Sequence, residues 1–248
     1  MNFKKLFAED DAAPQCSAVV LAAGNSERMG SDKIMAALGG LPLIVRTLAV
    51  FQRSVLVNEI VVVTRQDKLE KMADLCAKYG LNKVSKVICG GANRTASALA
   101  GVSEVSRKAR LIAIHDGARP LLSESLIHRT VYAAQEKNAA IPVLRSVDTL
   151  KTVDENGMVC GTVDRQTTYR VQTPQVFEAS LIKGALTRAV KNDLALTDDA
   201  SAMDLLHVST ATVQGEEDNI KITTPRDLIL AEAILRNRGD FFADRPWL

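Results

Sequence analysis

The chain reads as an α/β protein: a Rossmann-like, mostly parallel sheet with helices on both faces and an inserted β-hairpin dimerisation arm. Three observations predict it. Short apolar or β-branched runs recur along the chain, segments with amphipathic helical spacing separate them, and the alternation breaks over 146–171. Repeated strand–helix units give a parallel sheet, because each crossover helix returns the chain to the same end.

Each element follows from local pattern. Val19 to Leu21 is a strand apolar on both faces, and Ala22, Ala23 and Gly24 after it let the backbone approach a ligand closely. Leu41 to Ser54 carries Leu41, Ile44, Val45, Leu48 and Phe51 at helical spacing. Glu59 to Thr64 is a strand, Asp67 to Tyr79 a helix stopping before Gly80, and Val84 to Cys89 a strand running into Gly90-Gly91. Thr95 to Arg107 is helical, and Arg110 to His115 is a strand ending at Asp116-Gly117. Ser123 caps a helix to Lys137, and Ala139 to Leu144 is the fifth strand.

In the interrupted stretch, Asp148 to Val153 and Val159 to Val163 flank Glu155-Asn156-Gly157, where Asn-Gly suits a hairpin turn. An inserted hairpin leaves an exposed edge, which a second copy of the chain would cover, so a homodimer is expected. The remainder returns to α/β. Helices are expected at Ala179 to Lys191 and Asp199 to Leu206, and strands at Val208 to Val213 and Ile220 to Thr223. A last helix opens with Pro225 and runs to about Asn237. One domain over 15–238 results, with 146–171 as its arm and 1–14 and 239–248 as tails.

Bulk properties bound the function. At 248 residues, with 47% hydrophobic and 24% charged residues, the composition is that of an ordinary globular protein. A net charge of only +2 argues against a nucleic-acid-coating surface, so cations that do chemistry must act locally. The four cysteines form no paired motif, and Cys16 and Cys89 flank apolar runs as small buried hydrophobes. A reducing compartment, the cytoplasm, is expected, and no segment has the length of a membrane span.

The polar signals converge. Gly24 to Lys33 follows the first strand, Gly90 to Arg94 the third and Asp116 to Arg119 the fourth, all at the carboxyl edge where such sheets bind ligands. The first loop is not a P-loop, since no glycine-lysine-serine/threonine follows, yet Arg28 and Lys33 put charge where phosphates would lie. Arg94, Arg119, Arg165 and Lys221 add loop or strand-end cations. Together they suit nucleotidyl transfer, which needs charge neutralisation and positioning rather than a protein nucleophile. Asp116 is a hard oxygen ligand for a sugar hydroxyl or a magnesium-water shell, or a turn carboxylate. Thr197-Asp198-Asp199 reads equally as a helix N-cap, and His115 as a hydrogen-bonded structural residue.

These motifs, in order, resemble the 2-C-methyl-D-erythritol 4-phosphate cytidylyltransferase family. They comprise Leu-Ala-Ala-Gly…Arg28-Met29-Gly30…Lys33, Gly90-Gly91…Arg94…Ser97, His115-Asp116-Gly117-Ala118-Arg119-Pro120 and Asp148-Thr149-Leu150-Lys151. Val163-Asp164-Arg165, Gln172-Thr173-Pro174-Gln175-Val176-Phe177, Thr197-Asp198-Asp199-Ala200-Ser201 and Asn219-Ile220-Lys221-Ile222-Thr223 continue them over about residues 17–236. The resemblance implies magnesium-dependent transfer of CMP from CTP to methylerythritol phosphate. It implies that Arg28 and Lys33 stabilise the pentacoordinate phosphorus and that Arg165 and Lys221 position the attacking phosphate. Ala22, Ala23, Gly24, Asn25, Ser26, Gly91, Arg94 and Ser97 would hold CTP. Asp116, Arg119, Thr149, Thr173 and Thr197 would contact the sugar phosphate. The hairpin would be the dimer arm, with Thr149 and Arg165 acting in the partner's site.

Departures from the family pattern are Ser26 for a glycine, Gly117 for an alanine, and Asp32-Lys33-Ile34 for Pro-Lys-Gln. A carboxylate at Asp32 is unfavourable beside phosphates unless it points away. A ribitol 5-phosphate cytidylyltransferase shares much of this scaffold and is the nearest alternative. A non-catalytic CTP-binding homologue is the other, against which Arg28, Arg165 and Lys221 argue.

Overall fold

Alternation of cover decides where the first strand goes. In β1 (Cys16–Leu21), Ala18 and Val20 face one apolar cluster and Val19 the other, so the strand is covered on both sides. The computed structural model describes residues 15–24 and 32–239. Through these, β1 is followed by β2 (Ala37–Leu38), β3 (Leu41–Pro42), α1 (Leu43–Arg53), β4 (Val57–Thr64) and α2 (Leu69–Lys78). Then come β5 (Val84–Cys89), α3 (Arg94–Glu104), β6 (Leu111–Asp116), α4 (Glu124–Lys137) and β7 (Ala139–Arg145). The hairpin strands β8 (Lys151–Val153) and β9 (Val159–Thr162) precede β10 (Tyr169–Val171), β11 (Gln175–Glu178) and α5 (Ala179–Lys191). The chain ends its regular structure with α6 (Ala200–Asp204), β12 (Ala211–Gln214) and α7 (Pro225–Arg238).

The main sheet has the order β10-β7-β11-β6-β1-β4-β5, with β12 also paired to β7. The β1–β4, β1–β6, β4–β5 and β7–β12 pairs are parallel, whereas β11 runs antiparallel between β6 and β7. Strand order reverses at β1, between β4 on one side and β6 on the other, and such a switch opens a crevice at the carboxyl ends. Residues of α1, α2 and α4 (Leu48, Met72, Leu126) cover one face. Residues of α3, α5 and α6 (Val102, Ile182, Met203) cover the other. Burying each such side chain contributes roughly 1.5–3 kcal/mol. Local signals work as expected at two helix starts. The Ser123 hydroxyl accepts from Leu126 N at 3.0 Å, and α7 opens with Pro225 behind a Thr224–Asp227 capping box.

Several expectations are corrected. Ile220 to Thr223 is not a strand: Ile222 is fully buried in a third cluster with Leu38, Leu43, Leu121 and Leu235, and its N–H donates to Ala118 O. Apolar alternation there serves packing under α7 rather than sheet pairing. Cys89 is exposed, because β5 is the edge strand, while Cys16 and Cys76 are buried and burial pushes their thiols up to about 12 and about 11. The third helix stops at Glu104 rather than Arg107, since Val105 turns extended and buries itself. The helix expected from Asp199 begins at Ala200, and Leu41 and Pro42 form a short strand before α1. The final residues of 146–171 are not arm: β10 pairs antiparallel with β7 in the main sheet. Within 146–171, β8 and β9 alone form a ribbon separate from the main sheet, closed by the Asn156-Gly157 turn with Gly157 at φ +79°.

Candidate active site

At the carboxyl ends of β1, β5 and β6 lies a cavity of about 360 Å³, walled by Ala22 to Gly24, Lys33, Gly91 to Arg94, Ser97, Asp116 and Lys221. The two glycine loops are interlocked. A Cβ on Gly91 would lie 2.5 Å from Ala96 Cβ, and one on Gly90 would lie 2.8 Å from Ala23 Cβ. Gly24 faces open space instead. Ser97 pins the loop: Gly91 N–H donates to its hydroxyl at 3.1 Å, and the hydroxyl donates to Asn93 O at 2.8 Å. Asn93 caps α3 by accepting from Ala96 N at 2.8 Å, and it lines the cavity with Arg94, which puts the N-terminus of that helix at the cavity wall, an arrangement that favours anions.

A second cavity, of about 600 Å³, adjoins the first and is lined by Arg119, Thr173, Gln175, Thr197, Asp198 and Ser201 among others. Arg94, Asp116 and Lys221 line both. Three cations therefore surround one carboxylate at the boundary. Lys221 Nζ is 2.9 Å from Asp116 Oδ2, Arg119 Nε 3.5 Å from the same oxygen, and an Arg94 terminal nitrogen 3.8 Å from Oδ1. Burial pushes the Asp116 carboxyl up, but Lys221, Arg94 and Arg119 outweigh that and hold it well below the usual carboxylate range.

Beneath this wall His115 is fully buried with both ring nitrogens engaged. Nε2 faces Arg119 O at 3.2 Å, a carbonyl that only accepts, so this nitrogen carries the proton. Nδ1 then accepts from the Thr173 hydroxyl at 3.0 Å, and that hydroxyl accepts from Asp116 N at 3.1 Å. Desolvation pushes the imidazole pKa down to about 4, and Phe51 packs its ring edge-on at 5.2 Å. The structural reading of His115 fits this network. Thr173 is committed to it as well, with little hydroxyl left for a ligand.

Other sequence candidates separate into three groups. Ala22, Ala23, Gly24, Lys33, Gly91, Arg94, Ser97 and Asp116 converge on the first cavity, and Arg119, Thr173 and Thr197 on the second. Thr149 and Arg165 are exposed and line neither cavity. Asn25, Ser26 and Arg28 lie outside the described residues. Asp32 is paired with Lys68, and neither of them lines the first cavity. Asp199 is the N-cap residue of α6, but its carboxylate holds Arg94 instead of capping, and Asp198 before it accepts from Ser201 N at 3.1 Å. Gln175 and Asp199 were not among the candidates, although both stand within motifs that the sequence singled out. Among the described residues, no group of three or more His, Cys, Asp or Glu side chains gathers to hold a metal ion.

The model of the 2-C-methyl-D-erythritol 4-phosphate cytidylyltransferase family matches residues 16–237. The chain belongs to that family. A relative of this name from Halalkalibacterium halodurans is 41% identical over 224 residues, covering 90% of this chain and 97% of its own. Another from Geobacillus thermodenitrificans is 42% identical over 223 residues, covering 89% and 97%. Among solved structures, 4-diphosphocytidyl-2C-methyl-D-erythritol synthase of Anaerococcus prevotii superposes with a TM-score of 0.79 at 30% identity, covering 90% of this chain and 97% of its own. The 2-C-methyl-D-erythritol 4-phosphate cytidylyltransferase of Thermus thermophilus gives 0.72 at 33%, covering 88% and 98%. Membership makes this chain a CTP-dependent cytidylyltransferase of isoprenoid precursor biosynthesis. The α/β fold with its separate hairpin agrees with those structures. Among the described residues no helix is long and apolar enough to cross a membrane.

Proposed function

We propose that this cytidylyltransferase seats CTP in the first cavity and 2-C-methyl-D-erythritol 4-phosphate in the second, and joins them across the shared wall. The observation that carries this is the boundary itself, where Arg94, Asp116 and Lys221 belong to both cavities. An oxygen of the acceptor phosphate attacks the α-phosphorus of CTP. A new P–O bond forms as the bond to the β-phosphate oxygen breaks, and pyrophosphate leaves with that electron pair. No protein nucleophile is required, because positioning and charge neutralisation lower the barrier.

Lys33 and Arg28 neutralise charge at the reacting phosphorus. Lys221, held by Asp116, guides the attacking phosphate together with Arg165 supplied by the arm of a second copy. Ala22 to Ser26, Gly91, Arg94 and Ser97 shape the CTP site. Asp116, Arg119, Thr173 and Thr197, with the partner copy's arm supplying Thr149, shape the acceptor site. Among the described residues Asp116 is the carboxylate on the first cavity, with Oδ2 at 2.9 Å from Lys221 and Oδ1 at 3.8 Å from Arg94. Asp116 would hold a magnesium ion through Oδ1, and the ion would supply charge neutralisation on the triphosphate.

Exposed apolar residues along the arm, Val147, Val153, Met158 and Val159, support a homodimer in which that surface is covered. The free Cys89 and Cys160 thiols fit a reducing cytoplasm. The near-balanced charge favours small phosphates over nucleic acid as partners. The test is pyrophosphate release from CTP with magnesium, offering methylerythritol 4-phosphate and ribitol 5-phosphate in parallel. Strong preference for the first is expected. Preference for the second moves the enzyme to the ribitol substrate, and CTP binding without release leaves a non-catalytic homologue.

A further inference from the structure

A buried carboxylate ties the two cavities together. Asp199 is 1% exposed and holds Arg94 through two parallel N–H···O bonds of 2.8 and 2.6 Å. Arg94 opens α3 and lines both cavities, whereas the neighbours of Asp199 in the chain, Asp198 and Ala200, line the second. Leu196 N–H donates to Thr95 Oγ1 at 3.2 Å, a second tie from the same loop to the first turn of α3.

Gln175 locks that loop from the sheet side. Its Oε1 accepts from Asp199 N at 3.0 Å and Ala200 N at 2.9 Å, and its Nε2 donates to Asp198 Oδ2 at 2.9 Å. The wall of the acceptor cavity therefore cannot shift without carrying the start of α3 with it. Arg94 is not a freely moving phosphate ligand: Asp199 takes two of its five N–H groups and fixes the plane of the fork. Opening this pair would leave a buried charge alone, which is strongly unfavourable.

Resting on the transferase reading above, we propose that Asp199 is a positioning residue that couples the acceptor cavity to the nucleotide cavity through Arg94. Asp199→Asn keeps the shape but removes the charge and one of the two bonds. In this variant the KM for CTP and the KM for methylerythritol 4-phosphate both rise, by roughly 10-fold, while kcat falls less. A merely structural role would lower the folded fraction and leave both KM values of the folded enzyme unmoved. Gln175→Ala, which leaves both charges in place, gives the same split at smaller amplitude and carries the test if Asp199→Asn does not fold. Adding Asp199→Asn to Arg94→Lys raises neither KM further, because the carboxylate acts through the guanidinium. Unmoved KM values in folded variants, or additive effects in the double variant, overturn the coupling. Wild-type enzyme that turns over with normal KM values separates that failure from failure of the transferase reading. Absence of pyrophosphate release by the wild type removes the reading, and the coupling with it.

Discussion

Replacing Lys221 by alanine separates chemistry from stability. The Lys221 ammonium contacts Asp116 at 2.9 Å, yet its side chain is 42% exposed, so solvent screens the pair. A pair of this kind contributes about 1 kcal/mol or less to folding. Asp116 also keeps Arg119 at 3.5 Å and Arg94 at 3.8 Å, so the variant strands no buried charge. The expected shift in Tm is therefore about 2–4 °C for a chain of this size. Turnover responds on another scale. A preorganised donor aimed at developing charge contributes about 2.7–4 kcal/mol, or 10²–10³-fold in kcat. The assay is steady-state pyrophosphate release beside a thermal melt on the same preparation. Turnover within tenfold of wild type would remove Lys221 from the reacting centre. A fall in Tm beyond about 10 °C would instead make the Asp116 cluster a folding element and refute the separation.

His115 gives a pH signature. Its folded pKa of about 4 lies below the ordinary 6.5, so the unfolded chain binds the extra proton first. The neutral ring thus contributes its full stabilisation above pH 6.5 and loses it as the pH falls toward 4, up to about 3 kcal/mol. Urea midpoints at pH 7 and pH 5 should differ in the wild type and converge in His115→Gln; equal wild-type midpoints would refute the assignment. Gly101→Ala should destabilise by about 1–3 kcal/mol, because its Cβ would overlap Val19 and lie 2.7 Å from Val63 Cγ2, forcing α3 off the sheet. An unchanged melting curve would show that the helix shifts freely. If the arm completes the partner's site, mixing Arg165→Ala with Lys221→Ala chains should restore about a quarter of the sites, since one site of each mixed dimer is intact. A monomer by ultracentrifugation, or no recovery on mixing, would place Arg165 elsewhere.

Much of this molecule is written in local pattern. Val84–Cys89 and Ala179–Lys191 have the bounds that their spacing predicts, and Ser123 and Pro225 start helices as capping chemistry dictates. The carboxyl-edge convergence of Gly24, Gly91, Arg94 and Asp116 follows from strand order alone. What escaped is short or long-range. β11 has four residues behind Pro174 and no alternation, and Gln175, a polar residue, is its buried hinge to the 198–200 loop. Ile220 and Ile222 alternate like a strand, yet a cluster under α7 takes them.

By itself the sequence determined the α/β class, the glycine-containing loops at the strand ends and the family, because small residues, glycines and cations at strand ends are local requirements of backbone approach and charge. Tertiary structure alone decided which carboxylate serves which cation. Asp199 meets Arg94 across 105 positions, Asp116 collects Lys221, and Asp32 turns to Lys68. No periodicity encodes those choices, since ion pairing depends on distance in space and on burial, and both exist only once the sheet and its loops are packed.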